Sequence, residues 1–242
     1  MTFADALLRL ETGFRAELPG PPAHARLAPV PRRAWPADID PARIRDAAGL
    51  LLVFPKRKEE TAETAKNAER DISLRSPRAP RFLPDRDVAH IILTVRADTL
   101  GRHGGQVSLP GGVVDPGETF AQAALREAHE EVALRLDDVR VLGALTSLDI
   151  PVSGFRLHPI VAVSGTRPVL TPSDGEVARI LEVGVDELLN PDHFVTTERE
   201  RAGFGLTSVP SFRVADVEIW GATAMVLAEF LAVLGWPDRL HE

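Results

Sequence analysis

Glu127, Glu130 and Glu131 crowd into the short segment "ALREAHEEVAL" (124–134). On a helix, residues three and four apart are neighbours, so these carboxylates can converge on one point. Two kinds of chemistry fit. A solvated acidic face is the simpler reading of the three residues alone, because a like-charge helical pair in water costs only ~0.2–0.5 kcal/mol. A divalent-cation site is the second, since hard cations take oxygen ligands and complete their shell with substrate phosphates. A shared cation would turn repulsion into attraction and give an acidic chain a place for a phosphate. The surroundings favour the cation. Arg126, four residues before Glu130, can orient its carboxylate from outside the metal shell. Gly111-Gly112 lets the backbone approach an ion closely and offer a carbonyl.

These residues need a turn, a helix and a sheet to hold them. Pro116-Gly117 marks a turn, and Thr119 with Gln122 has capping-box spacing for a helix start. Ala121, Ala124, Leu125, Ala128 and Val132 form an apolar stripe of mostly small side chains, which lets the helix lie close to a sheet. The apolar runs 47–54 and 88–96 read as strands that pair, and 139–150 and 156–163 read as two more. Residues 176–185 are ambiguous, with strand favoured in the second half, and 185–190 is a short helix before Pro191. "VEIWG" is expected to close the sheet, followed by an apolar helix over 222–236. The N-terminal part, 1–45, reads as a helix over 3–17 and a Pro-rich arm, 19–36, that cannot be regular structure. The domain proper is expected over 46–242, with a charged, Pro-studded insertion at about 55–87, exposed and partly helical around 59–70. A mixed sheet between helices fits this order of elements, placing the chain in the α/β class.

Composition narrows the chemistry. The 242 residues are 44% hydrophobic, enough for a sizeable core, and contain no cysteine, which excludes disulfides, thiolate metal sites and a thiol nucleophile. The net charge of −7 makes nonspecific nucleic-acid binding unfavourable. No apolar run is long enough to span a membrane, and the acid-bearing N-terminus does not read as a signal peptide. The expectation is a cytoplasmic protein with no nucleic-acid or membrane partner and with a homodimer left open.

Read as a whole, the stretch is Gly112-x5-Glu118-x7-Arg126-Glu127-Ala128-x-Glu130-Glu131-x-Ala133-Leu134. It resembles the Nudix box, G-x5-E-x7-R-E-U-x-E-E-x-G-U with U apolar. Ala133 stands where the pattern has glycine; it is expected to shift the helix terminus while removing no ligand. The resemblance implies an α/β/α sandwich and hydrolysis of a nucleoside diphosphate linked to another group, assisted by Mg²⁺ or Mn²⁺. By motif position, Glu127, Glu130 and Glu131 would bind metal with the Gly112 carbonyl. Arg126 would orient a carboxylate, and Glu118 would support the loop or bind metal through water. The base varies in this family: Glu130 is one candidate, and Glu176 in "TPSDGEVA" is another, beside the plainer reading of Glu176 as the start of an element.

Upstream, "ILTVRADTLGRHGGQVSLPGG" (92–112) is similar to the motif of the coenzyme A pyrophosphatase group, through Thr94, Arg96, Ala97, Gly105, Pro110, Gly111 and Gly112. "IWGATAMVL" (219–227) is similar to the same group. Gly101 replaces the motif's second arginine, with Arg102 adjacent, and Leu109 replaces its phenylalanine. The resemblance implies substrate contacts from Arg96, Arg102, His103, Gln106 and Gly111; for the arginines a solvated surface, and for His103 and Gln106 a polar turn, is the plainer alternative. His158 reads as structural and His129 as solvent-facing. The implied substrate is coenzyme A or an acyl derivative, giving 3′,5′-ADP and 4′-phosphopantetheine or its acyl form. The alternatives are a broader hydrolase of ADP-ribose, dinucleotides or nucleoside triphosphates, and a non-catalytic binding module of the same fold.

Overall fold

The computed structural model describes residues 1–57, 87–97, 105–201, 204–214 and 216–236. Most of the charged insertion, including its expected helical part, and Gly101, Arg102 and His103 lie outside these residues.

The sheet is organised by strand β1 (Arg45–Arg57), whose run Leu50–Phe54 is fully buried. A strand covered on both faces reads as a continuous apolar run rather than an alternation. β1 pairs antiparallel with β2 (Asp87–Arg96) and parallel with β7 (Phe155–Ser164). The first pairing was expected, but both strands run into the supposed insertion: Arg57 sits opposite Asp87. β3 (Val107–Ser108), β4 (Gly111–Val113), β5 (Val139–Ala144), β6 (Leu148–Ile150) and β8 (Val177–Gly184) complete a mixed sheet of eight strands. The sequence 139–150 therefore forms two strands, not one. Pro159 of β7 has no N–H to donate where they divide, and Thr146 turns away to donate both its N–H and its hydroxyl to Glu229.

Successive side chains of β1 point to opposite faces. Leu50, Leu52 and Phe54 join the cluster under helix α3 (Phe120–Val132). Leu51 and Val53 join the larger cluster with α1 (Phe3–Gly13) and α5 (Gly221–Val233). The expected α/β/α arrangement is present. Between β8 and α5 come the short helix α4 (Val185–Leu189) and strands β9 (Phe194–Arg201), β10 (Gly205–Val214) and β11 (Val217–Trp220).

Three expectations for this outer shell are corrected. β11, the "VEIW" strand, does not close the main sheet; it pairs with β10 in a separate three-stranded sheet β11-β10-β9. β9 and β10 had not been anticipated, and their antiparallel pairing gives β11 a nearer partner than the main sheet. The first helix stops at Gly13 rather than running to residue 17. The Pro-rich arm contains a helix, α2 (Gly20–Ala25). Pro21 and Pro22 are tolerated there because first-turn N–H groups have no intrahelical acceptor in any case.

The arm is fastened to the domain by buried polar contacts. Glu229 of α5 is fully buried, an expensive place for a carboxylate without partners. It accepts hydrogen bonds from the Gly20 N–H at 2.9 Å and Thr146 Oγ1 at 2.6 Å, and His24 Nε2 lies 2.8 Å from its other oxygen. Desolvation opposes its charge, but the His24 and Thr146 hydrogen bonds prevail and hold the carboxyl below its ordinary range. Further along, Val30 and Ser208 of β10 exchange two backbone hydrogen bonds of 2.8 and 3.0 Å.

Candidate active site

The turn, cap and helix at 109–132 form as their chemistry requires. Gly117 takes φ +91°, and Thr119 and Gln122 form the reciprocal capping box at the start of α3. Ala123, Ala124, Ala128 and Val132 bury against the sheet; Ala123 takes the place expected for Ala121, which stays half-buried at the first turn. At the other end Ala133 itself adopts the left-handed conformation, φ 54° and ψ 33°, and stops the helix after Val132. It is the one non-glycine residue with positive φ among the described residues. His129 is exposed, and its Nδ1 hydrogen-bonds the Leu134 carbonyl at 2.9 Å just beyond the terminus.

β4 brings Gly111 and Gly112 against this helix. A Cβ at Gly111 would overlap the Ala48 carbonyl of β1, and one at Gly112 would overlap the Glu127 carboxylate. Gly111 is thus a packing requirement against backbone, and Gly112 lets the Glu127 carboxylate lie directly on the backbone of β4. Arg126 binds the acidic group together. Its Nε and Nη2 reach the two oxygens of Glu118 at 2.8 and 3.1 Å, and its Nη1 reaches Glu127 at 2.9 Å and Glu130 at 3.4 Å. A further bond of 3.1 Å to the Val113 carbonyl fixes the guanidinium to β4. The bidentate pair lowers the Glu118 carboxyl below its ordinary range.

Glu131 differs from its neighbours. It is 7% exposed, on the buried side of α3, and its Oε2 accepts from the Gly111 N–H at 3.2 Å. Desolvation pushes its carboxyl up to about 7; the Gly111 bond and Arg96 pull down, while Glu127 and Glu176 push further up. Arg96 and Glu176 therefore lie within electrostatic reach of the same carboxylate. The loop carrying Glu176 is strapped to the end of α3: the Thr171 and Ser173 N–H groups donate to the carbonyls of Val132 and Glu131 at 3.0 and 2.8 Å. Among the described residues, no three Asp, Glu or His side chains stand, as arranged, close enough to hold a metal. In this arrangement Arg126 supplies the positive charge that the carboxylates share.

A cavity of about 600 Å³ opens beside Gly111 and Gly112, with Arg96, Gln106, Leu109 and Trp220 in its wall.

The model of the NUDIX domain matches residues 76–200. The chain belongs to the Nudix hydrolase family. The Nudix hydrolase NudL of Pectobacterium atrosepticum is 35% identical over 138 residues, covering 57% of this chain and 71% of that protein. NudL of Yersinia enterocolitica is 36% identical, covering 57% of this chain and 70% of its own length. Among solved structures, the Nudix hydrolase RenU of M. Smegmatis aligns with a TM-score of 0.42 at 24% identity, over 60% of this chain and 73% of that one. As a Nudix hydrolase, the chain acts on pyrophosphate bonds in small nucleotide substrates, and the family generally needs divalent cations.

The Nudix helix and its glycine strand bring together Gly111, Gly112, Glu118, Arg126, Glu127, Glu130 and Glu131. Arg96 and Glu176 stand near them, and Gln106 lies in the cavity wall. His158 is occupied elsewhere, bonding Asp46 at 2.7 Å and stacking on Phe120 at 3.6 Å between ring centroids. Residues not singled out from sequence also line the cavity: Arg32 and Arg33 of the arm, Arg201 of β9, and Trp220. The doubled arginine in "PVPRRAWP" was visible, but nothing local shows where the arm will lie. Glu229 did carry a signal, as a lone acid in the apolar run "AMVLAEFLAV", since a charge there must find partners or stay unburied.

Proposed function

We propose that this Nudix hydrolase cleaves the pyrophosphate of coenzyme A or an acyl derivative, with Mg²⁺ or Mn²⁺. The observation that carries this reading is the cavity: it runs from the glycine strand of the Nudix box to Arg96 and Gln106, residues of the motif that resembles the coenzyme A group. The box fits a hard cation by its donors, all oxygen. Glu127, Glu130 and Glu131 would hold the ion with the Gly112 carbonyl, and Glu131 supports this because its burial disfavours its charge until a cation offsets it. Such a cation, when bound, supplies charge neutralisation for the phosphates and activation of water.

The chain's own residues do the positioning. Arg126 orients Glu127 and Glu130 through Nη1 while Glu118 fixes the other edge of its guanidinium. Arg96 lies within electrostatic reach of Glu131 and in the cavity wall, suited to a phosphate oxygen, and the Gly111 N–H keeps one Glu131 oxygen in place. For the proton from water, Glu176 is the candidate supported by its nearness to Glu131 and by its exposure, with Glu130 the alternative.

The test is a substrate panel with Mg²⁺ or Mn²⁺, read by product chromatography with a chelator control. Cleavage of coenzyme A to 3′,5′-ADP and 4′-phosphopantetheine, lost on chelation, is expected. Cleavage of ADP-ribose or dinucleotides but of neither coenzyme A nor dephospho-coenzyme A would overturn the substrate reading; Leu109, in the place of the motif's phenylalanine and in the cavity wall, is the residue that favours that outcome.

A further inference from the structure

The cavity beside the Nudix box has a second charged wall. Arg32 and Arg33 enter it from the arm and Arg201 from the end of β9. The guanidinium carbons of Arg33 and Arg201 lie over the same ring, Phe204, at 5.1 and 5.6 Å from its centroid. Arg201 Nη1 also reaches the Pro31 carbonyl at 3.5 Å, which joins the strand to the arm. Neither Arg33 nor Arg201 forms an ion pair with a carboxylate among the described residues. Arg32 is partly balanced: it donates to the Asp149 carbonyl at 3.3 Å and feels the Asp149 carboxylate, which Arg156 binds at 2.8 Å.

In a chain of net charge −7, Arg33 and Arg201 stand in a cavity wall without a carboxylate partner among the described residues, so they offer positive charge to a ligand there. Arg33 and Arg201, each stacked on the Phe204 ring, present the planar donors that match a phosphate. They are also anchored. Val30 is bonded twice to β10, and Gly20 and His24 are bonded to buried Glu229, so the arm's arginines are positioned before a ligand arrives.

We propose that Arg33 and Arg201, flanked by Arg32, form a second anion subsite that reads a phosphate outside the pyrophosphate being cleaved. The identity of that phosphate rests on the coenzyme A reading, in which it is the 3′-phosphate of the ribose. The arm then supplies what the upstream motif lacks, since position 101 is glycine.

The test uses the full chain, its Arg33→Ala/Arg201→Ala variant, and two probes, 3′,5′-ADP and 5′-AMP, with Kd measured by calorimetry. The parent is expected to bind 3′,5′-ADP more tightly than 5′-AMP by roughly one to two decades, the range of a charge-assisted contact. The double variant should bring that ratio close to one. A parent without the preference, a variant that retains it, or equal weakening of both probes would overturn the subsite. If the alanine pair melts early, Arg33→Gln/Arg201→Gln keeps the side-chain stems over Phe204 and carries the same comparison. Turnover separates the two proposals. Preference for 3′,5′-ADP without cleavage of coenzyme A leaves the subsite and removes the substrate reading. Cleavage of coenzyme A without that preference does the reverse.

Discussion

The acidic end of the site, beside the cavity's glycine strand, and its basic end, in the cavity wall, are built in opposite ways. The acidic end comes from one continuous stretch, 109–134, in which a turn, a cap and helical spacing assemble the carboxylates around Arg126. The basic end draws on residues 32, 33 and 201, brought together by a helix in the arm, a bridge to β10 and a buried carboxylate on α5. The first end is local and rigid by secondary structure, and the second depends on tertiary anchors. The difference teaches where each should fail: the acidic end by loss of a single side chain, and the basic end by release of an anchor far from the cavity.

The sharpest way to break the acidic end is Glu131→Gln, which keeps shape and removes charge. Its kcat/KM with saturating Mg²⁺ should fall by more than the ~10–100-fold that loss of an outer partner costs. Stability should move the other way. Burial raises this carboxyl to about 7, so the unfolded chain releases its proton before the folded chain does. As pH rises from the ordinary carboxylate range through about 7, Glu131 costs the metal-free fold stability, fully so above that window. In chelator at pH 8 the variant should therefore melt no lower than the parent. Near-parental turnover, or a lower melting temperature, would contradict the role given to Glu131.

Glu229→Ala strikes the other end from a distance. It leaves His24, Gly20 and Thr146 without their shared acceptor, and loss of a buried pair costs roughly 3–5 kcal/mol. Urea unfolding near pH 7 measures that loss. Because the folded carboxyl lies below its ordinary range, its contribution is present above that range and is lost as pH falls through the folded value. The gap between parent and variant should therefore narrow in acid. In the folded variant, the preference for 3′,5′-ADP should weaken while the metal-dependent step on the pyrophosphate persists. Parallel loss of both would mean that the two ends are not independent.

The smallest effect is at the helix terminus. Ala133 holds a left-handed conformation that costs an L-residue about 1–2 kcal/mol. Ala133→Gly relieves it but frees the unfolded chain, so a net gain of about 1 kcal/mol in unfolding free energy is expected with kcat unchanged. A loss of stability would show that the Cβ of Ala133 has a packing role.

Much of the acidic end could be read from sequence because its causes lie within a turn or two of each residue. The Thr119–Gln122 cap, the buried helix stripe and the glycine pair follow from spacing and side-chain size, and the continuous apolar run of β1 announced a strand covered on both faces. The β1–β2 pairing, the α/β/α layering and the family followed from the same local signals. Tertiary structure decided the rest. It placed Glu131 on the buried side of its helix, a choice set by how α3 lies on the sheet rather than by its spacing to Glu127. It split 139–150 at Thr146, because the acceptor for that residue is Glu229, eighty-three positions away. It moved β11 out of the main sheet, because backbone pairing goes to whichever strand edge lies nearest once the chain has folded. And it carried the arm's arginines to the cavity, since long-range contacts leave no periodicity in the sequence: a Pro-rich segment shows that it will not form a long helix, but not which surface it will cross.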